Sequence, residues 1–275
     1  MRSLKTLRAA GIAVLLATGS TGIAMAADML SPPPPPPMLA PPAAIEASSG
    51  FYLRGDIGVG AYNYRTLDIQ PIPVGGAQIL SRSLSNVGIV SIGAGYQLNA
   101  WLRGDITAEY RSSSRIRIVE WQAGFGGGNI VRGNLASGVF LANAYVDLGT
   151  WHRVTPFVGL GAGLAMMNVN GIVDSGFGAF AGGSGSASSK TQTKFAWALH
   201  AGAAYDLTAN WKAEVAYRYT NYGTVNSGNI VCTVPCAVSN VRMKSLDSHD
   251  VKVGLRYLFA DVAPIYSEGP LVRKY

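Results

Sequence analysis

Eight stretches of this chain, residues 52–64, 86–98, 102–112, 137–149, 155–166, 194–207, 211–221 and 250–259, repeat one constraint: apolar side chains alternate with small or charged ones at a period of two. In residues 102–112, Leu102, Gly104, Ile106, Ala108 and Tyr110 alternate with Arg103, Asp105, Thr107, Glu109 and Arg111. Successive strand residues point to opposite faces, so one face is apolar and the other ionic. The same division sets Phe195, Trp197, Leu199, Ala201, Ala203 and Tyr205 against His200, Gly202 and Asp206. It sets Val251, Val253, Leu255, Tyr257 and Phe259 against Lys252 and Arg256. A soluble antiparallel sandwich alternates as well. A charged parity cannot face lipid, however, so it must line a polar interior while the apolar parity faces a bilayer. The pattern predicts an all-β fold: an eight-stranded antiparallel transmembrane up-and-down β-barrel.

The N-terminus sets the compartment. Arg2, Lys5 and Arg8 precede an apolar stretch from Ile12 to Leu16, and Ala24-Met25-Ala26 offers the small-x-small pattern of a cleavage site. Residues 1–26 therefore read as a secretory signal. Elsewhere no run approaches the roughly 20 apolar residues of a spanning helix, whereas each alternating run is near the roughly 9–11 residues of a tilted spanning strand. Residues 27–50, with prolines at 32–37, 41 and 42, read as a periplasmic leader, either an extended polyproline spacer or an inert disordered segment. Residues 51–259 hold the barrel, and 260–275 form a periplasmic tail. The chain carries 34 Gly and only 13% charged residues, as a glycine-rich β protein does. Its net charge of +7 includes three positive residues of the signal, and the weak remainder excludes a nucleic-acid partner.

Connections alternate in length. After the second, fourth and sixth runs the chain turns through Asn99-Ala100-Trp101, residues 150–154 and Thr208-Ala209-Asn210; after the others it enters long loops. Short turns of such barrels are periplasmic and long loops external. That places both chain ends in the periplasm. Trp101, Trp151 and Trp211 stand at the three short turns and read as an aromatic girdle, where an indole buries its ring and leaves its N–H to water or headgroups.

The opening Phe51-Tyr52-Leu53-Arg54-Gly55-Asp56-Ile57-Gly58 and the closing Val253-Gly254-Leu255-Arg256-Tyr257-Leu258-Phe259 carry a resemblance. Over residues 51–259 the chain resembles the RopB-like alphaproteobacterial outer-membrane surface antigens, related in architecture to the OmpA transmembrane barrel. The resemblance implies an assembly signal at Tyr257 and Phe259, read by the barrel-assembly machinery. Such a signal normally ends the chain, and here the chain continues to Tyr275. It also implies an abundant envelope protein in contact with outer-membrane lipid and lipopolysaccharide. Some relatives are associated with host interaction or haem binding. The expected function is envelope integrity and surface display through four external loops. A small porin and a haem or host-ligand receptor acting through those loops are the open alternatives.

An eight-stranded barrel has an interior that side chains can fill. The inward parity supplies Arg54, Arg103, Arg111, Lys212, Arg218, Lys252 and Arg256 against Asp56, Asp105, Glu109, Asp147, Asp206, Glu214 and Asp250, a balanced set that reads as a structural ionic core. The inward glycines Gly58, Gly60, Gly93, Gly95, Gly159, Gly161 and Gly163 leave room beside it, so a narrow water-filled route stays open at this point. Catalysis is not expected: His152, His200 and His249 are scattered and no nucleophile is identifiable beside them. Neither a metal nor a cofactor is expected. The clusters at Gly126-Gly127-Gly128 and Gly182-Gly183-Ser184-Gly185 read as flexible loop. Cys232 and Cys236 lie in the last long loop and, in an oxidising compartment, are expected to pair as a disulfide.

Overall fold

The computed structural model describes residues 49–70, 77–232 and 239–259. Eight long strands carry the architecture: β1 (Gly50–Gln70), β3 (Val87–Gln97), β4 (Leu102–Gln122), β5 (Gly127–Asp147), β6 (Val154–Gly178), β8 (Lys190–Asp206), β9 (Trp211–Asn226) and β11 (Asn240–Leu258). Three short strands, β2 (Gln78–Leu84), β7 (Ser184–Ala187) and β10 (Ile230–Cys232), lie in the connections. All pairing is antiparallel. β1 pairs with β3, β3 with β4, β4 with β5, β5 with β6, β6 with β8, β8 with β9, β9 with β11, and β11 returns to β1. Each long strand therefore has a partner on both edges, which is how a sheet in lipid satisfies its backbone hydrogen bonds.

The alternation read from the sequence is the alternation of burial in the lower part of each strand. Ile57, Ile92, Ile106 and Phe195 point outward and are between 61% and 69% exposed. Their neighbours Asp56, Ser91, Asp105 and Ala196 point inward and are buried. Exposure of that much aliphatic surface around a whole sheet is what lipid covers. Among the described residues no helix is long and apolar enough to cross a membrane. At the short-turn end, Trp151 and Val154 exchange backbone hydrogen bonds of 2.9 Å across His152 and Arg153, whose φ angles are 50° and 68°. Two positive φ values make this the type I′ turn that fits the strand twist, here without the usual Asn or Gly.

The other end differs from the expectation. The stretches read as long loops are largely β-hairpins: β4 and β5 run on to a three-residue 3-10 turn at Ala123–Phe125, and β6 extends to Gly178. The glycine clusters read as flexible loop are partly strand as well. Gly127 and Gly128 begin β5, Ser184 and Gly185 begin β7, and Gly126 supplies the left-handed turn residue with φ 67°.

The physical cause is a set of β-bulges. Between Arg111 and Ser114 the β4 register gains one residue against β5. Below the bulge the odd residues from Arg103 to Arg111 face inward; above it the even residues Ser114, Ile116, Ile118 and Glu120 do, leaving Arg115 and Arg117 outside. An extra residue in one strand turns every later side chain to the opposite face. The same switch occurs in β6 around Gly171 (φ 59°), in β9 at Gly223 (φ 70°) and in β11 at Ser245 (φ 52°). Beyond these bulges Ile172, Val225, Val241 and Met243 enter the interior. They join Tyr62, Tyr64, Val87, Ile89, Leu135 and Met167 in one apolar cluster.

Candidate functional site

Two interior layers follow from these bulges. The lower one, within the lipid-facing belt, is ionic. Its largest fully buried side chains are Arg103, Arg111, Arg218 and Arg256. Glu214 on β9 lies 3.2 Å from Arg54, 3.6 Å from Arg103 and 2.9 Å from Arg256. Arg54 also reaches Asp56 at 2.8 Å and Asp105 at 3.2 Å, and Arg103 reaches Asp147 at 3.2 Å. Higher up, Glu109 joins Arg218 at 2.6 Å, Lys252 at 3.0 Å and Arg111 at 3.2 Å. Asp250 joins Arg111 at 2.7 Å and Arg218 at 2.8 Å. Asp56, 3.5 Å from Lys252, links the two groups. Lys212 and Asp206 pair with each other at the short-turn rim. The structure thus brings all fourteen sequence-selected charges into ion pairs.

Neutral groups complete the layer. Tyr52 donates to Asp105 (3.1 Å), Asn143 donates to the same carboxylate (2.8 Å), and Ser91 donates to Asp56 (2.9 Å). The Arg103 guanidinium lies 4.3 Å from the Tyr145 ring centroid and 4.7 Å from that of Phe157. The inward glycines do not leave room. A Cβ on Gly95 would stand 2.5 Å from Tyr52, one on Gly159 2.4 Å from Tyr145, and one on Gly161 2.2 Å from Asn143. Their space is filled by large side chains from neighbouring strands, and the cavity between Arg54, Asn143, His200 and Lys252 measures about 10 Å³. That volume is about one water. His200 contacts Asn143 Oδ1 through Nε2 at 3.2 Å.

The aromatic residues form rims. Trp101, Trp151 and Trp211 lie exposed at the short turns. Trp211 packs on Tyr257, and Tyr257 on Phe259, with ring centroids 4.9 and 4.8 Å apart. The Phe259 N–H donates to the Phe51 carbonyl at 2.8 Å, tying the end of the last strand to the first. Sequence reasoning missed a second rim at the upper edge of the belt, where Tyr110, Phe140, Phe195, Trp197 and Tyr217 point outward. Its signal was available in the outward parity of each run. His249 belongs to this rim, its Nδ1 2.6 Å from Tyr217 Oη and its Nε2 3.3 Å from Asp247.

Above that rim the apolar interior ends in a tip shared by two hairpins. Ala179 N–H donates to the Gly126 carbonyl at 3.1 Å, joining the β4–β5 turn to the end of β6. Around that joint Trp121 packs against Phe177 (centroids 5.8 Å) and Phe125 against Phe180 (6.2 Å), with Phe125 50% exposed. Beneath them lie two inward carboxylates. Glu120 accepts a hydrogen bond from Asn129 at 2.8 Å. Burial, with the Glu120 carboxylate adding to it, pushes the Asp174 carboxyl up to about 6. Cys232 closes β10, while Cys236 lies outside the described residues, as do the expected signal, most of the leader and the tail.

Comparison with known proteins fits this geometry. A putative adhesin of Rickettsia bellii is 28% identical over 76% of this chain and 88% of its own length. An uncharacterized protein of Brucella suis is 30% identical over 66% of this chain and 70% of its own. Among solved structures, the outer membrane protein OprG of Pseudomonas aeruginosa superimposes with a TM-score of 0.51 at 13% identity, covering 78% of this chain and 98% of OprG, a likeness of fold alone. The model of the outer membrane protein beta-barrel domain matches residues 38–259. With that match over most of its length, and with every strand of the lipid-facing belt in place, the chain belongs to the outer membrane β-barrel family.

Proposed function

We propose that this protein is a non-conducting, non-catalytic outer-membrane anchor that presents a stiff β-structured head for adhesive contact at the cell surface. In this reading the short turns and both chain ends face the periplasm, the long hairpins face outward, and residues 1–26 are removed as a secretory signal. The observation that carries it is the aromatic tip. Phe125, Phe180, Trp121 and Phe177 are held by two hairpins whose interior has its own apolar cluster. Phe125 is exposed and the other three are half-buried around it, and an aromatic group on such a rigid support is the usual anchor of a protein contact, because little side-chain entropy is lost on binding. The putative adhesins among the relatives support the same reading.

The porin alternative has little to stand on where the lumen is filled by ion-paired side chains around a cavity of about 10 Å³. A haem receptor would need an axial ligand at the long-hairpin end, and His249 has both ring nitrogens engaged. The envelope-integrity reading is carried by the barrel as a whole and does not explain the tip. The deciding experiment compares adherence of cells displaying the full chain with cells displaying F125S/F180S, with heat-modifiable gel mobility verifying that both barrels are folded. Adherence should fall several-fold in the variant. Equal adherence with both proteins folded removes the tip from the function.

A further inference from the structure

On the outward face of β4 and β5, above the lipid-facing belt, stand Arg115, Arg117 and Arg132, all exposed. Arg117 is directly opposite Arg132 in the antiparallel register, and Arg115 is the next outward residue of β4 toward the belt, opposite Asn134. On its other side Arg117 faces Ser83 of β2, and Arg132 faces Val173 of β6. Of the other outward charges at this end, Lys244 pairs with Asp68, His249 pairs with Asp247 and Arg82 lies over the Tyr64 ring, while Arg65 and Lys190 are exposed without an ion pair among the described residues. Among the described residues no ion pair reaches the three arginines, and the acids of the same hairpins, Glu120 and Asp174, point inward.

Like charges directly opposite on a sheet are destabilising. A sequence that keeps two arginines there, with a third beside them and no counter-ion, breaks a local rule of sheet design. Guanidinium groups match phosphate oxygens with paired, charge-assisted hydrogen bonds. Direction identifies the source of the phosphate. Strand side chains stand perpendicular to the sheet, so these three project sideways from the barrel wall, in the plane of the membrane and not toward an approaching cell. Height agrees: Tyr110 is the last outward aromatic of β4 below the bulge. Five residues of tilted strand place the Arg115 backbone roughly 12 Å above it. That is the level of the sugar-phosphate layer of the surrounding glycolipid.

We propose that Arg115, Arg117 and Arg132 form a lateral phosphate-binding site for lipopolysaccharide of the outer leaflet. The site rests on the outward orientation of the long hairpins given above, and it would hold one glycolipid molecule against the β4–β5 wall below the aromatic tip. The test uses the purified full chain folded in detergent, titrated with lipopolysaccharide, with the same lipopolysaccharide stripped of its phosphates, and with inorganic phosphate at matched ionic strength. R115Q/R117Q/R132Q should bind intact lipopolysaccharide about ten-fold more weakly than the parent. The parent should bind the stripped form as weakly as the variant does. Loss of like-charge repulsion favours the folded variant, and heat-modifiable mobility verifies it; R132Q alone should fall between the two. Equal affinity of parent and triple variant, or of intact and stripped glycolipid, overturns the proposal. So does saturation by inorganic phosphate at the concentration at which lipopolysaccharide binds. Orientation is read separately by labelling Gly124→Cys with a membrane-impermeant thiol reagent on intact cells. Absence of label overturns the orientation and the site together, whereas label with equal affinities overturns the site alone.

Discussion

The lower and upper halves of this barrel solve opposite problems with the same strands. In the lower half the outside is apolar and the inside holds arginines, lysines and carboxylates that neutralise one another; in the upper half the inside is mainly apolar and the outside holds arginine, asparagine and serine beside a few exposed aliphatic side chains such as Leu80 and Val173. The surroundings explain the inversion. Lipid accepts Ile106 and Phe195 but no charge, so charges retreat to the lumen, where each is paired because an isolated buried charge is prohibitive. Above the lipid, water accepts the charges and rejects the aliphatic side chains, so Ile116, Ile118 and Leu135 collapse inward as they do in a soluble protein. The bulges stand between the two regimes, and one extra residue in a strand makes the exchange.

The sharpest way to break this comparison is to exchange the residues that a bulge sorts. R115I/I116R/R117I/I118R keeps the composition of β4 and its register, so two arginines point into the apolar interior and two isoleucines into water. Two unpaired charges in that interior cost more than about 5 kcal/mol, beyond what the hairpin can sustain. The expected result is a protein with normal heat-modifiable mobility whose β4–β5 hairpin is cut rapidly by trypsin. A hairpin that stays resistant to trypsin breaks the account of the bulge.

Next in size is the ionic layer. Glu109 faces Arg111, Arg218 and Lys252 within 3.2 Å. Replacing it with alanine leaves three cations sharing Asp250 and Asp56, and should cost about 3–5 kcal/mol in urea unfolding from detergent. Glu109→Gln keeps the size and one acceptor oxygen but turns an amide N–H group toward a cation, so it should recover only part of that loss. Leu135→Ala tests the other layer at a fully buried position and should cost about 2–5 kcal/mol. The two losses should differ in place as well as origin. The first lowers the unfolding midpoint of the whole barrel, and the second raises protease sensitivity and hydrogen exchange in the hairpins above the belt.

How much of this was legible in the sequence follows from the same bulges. In the membrane segments the period-two pattern has a fixed phase, so the eight strands, their apolar outer face and their ionic inner parity could all be read from residues such as those of 102–112. The sequence-read strands stop at Ser112, Met166, Asn221 and Asp250, all at or close to bulges. The alternation itself does not stop there. Tyr110 and Ile116 share a parity although one faces lipid and the other the interior, and no rule of spacing distinguishes them. The inserted residue is an ordinary serine in β4 and β11, visible only through the partner strand. The filled lumen was hidden for a related reason: which tyrosine or phenylalanine occupies the space above a given glycine depends on register, not on neighbours in the chain.

The smallest predicted effect concerns the carboxylates under the tip, where the two regimes meet imperfectly. The lower layer gives every carboxylate a cation, whereas Glu120 and Asp174 lie together without one among the described residues. Asp174 therefore keeps its proton up to about pH 6 in the folded chain. In the unfolded chain an aspartate loses it near about 3.9. The folded state binds this proton more tightly, so its contribution is fully present below about pH 4 and is lost as pH rises to about 6 and beyond. Acidification from pH 7.5 to 5 should tighten the tip, measured as slower hydrogen exchange across residues 120–131 and 172–178. Asp174→Asn should abolish that dependence and stabilise the tip at pH 7.5 by about 1 kcal/mol, after discounting for partial exposure and solvent screening. If the tip loosens on acidification instead, a cation must face this pair, and the upper layer would be balancing its charges as the lower one does.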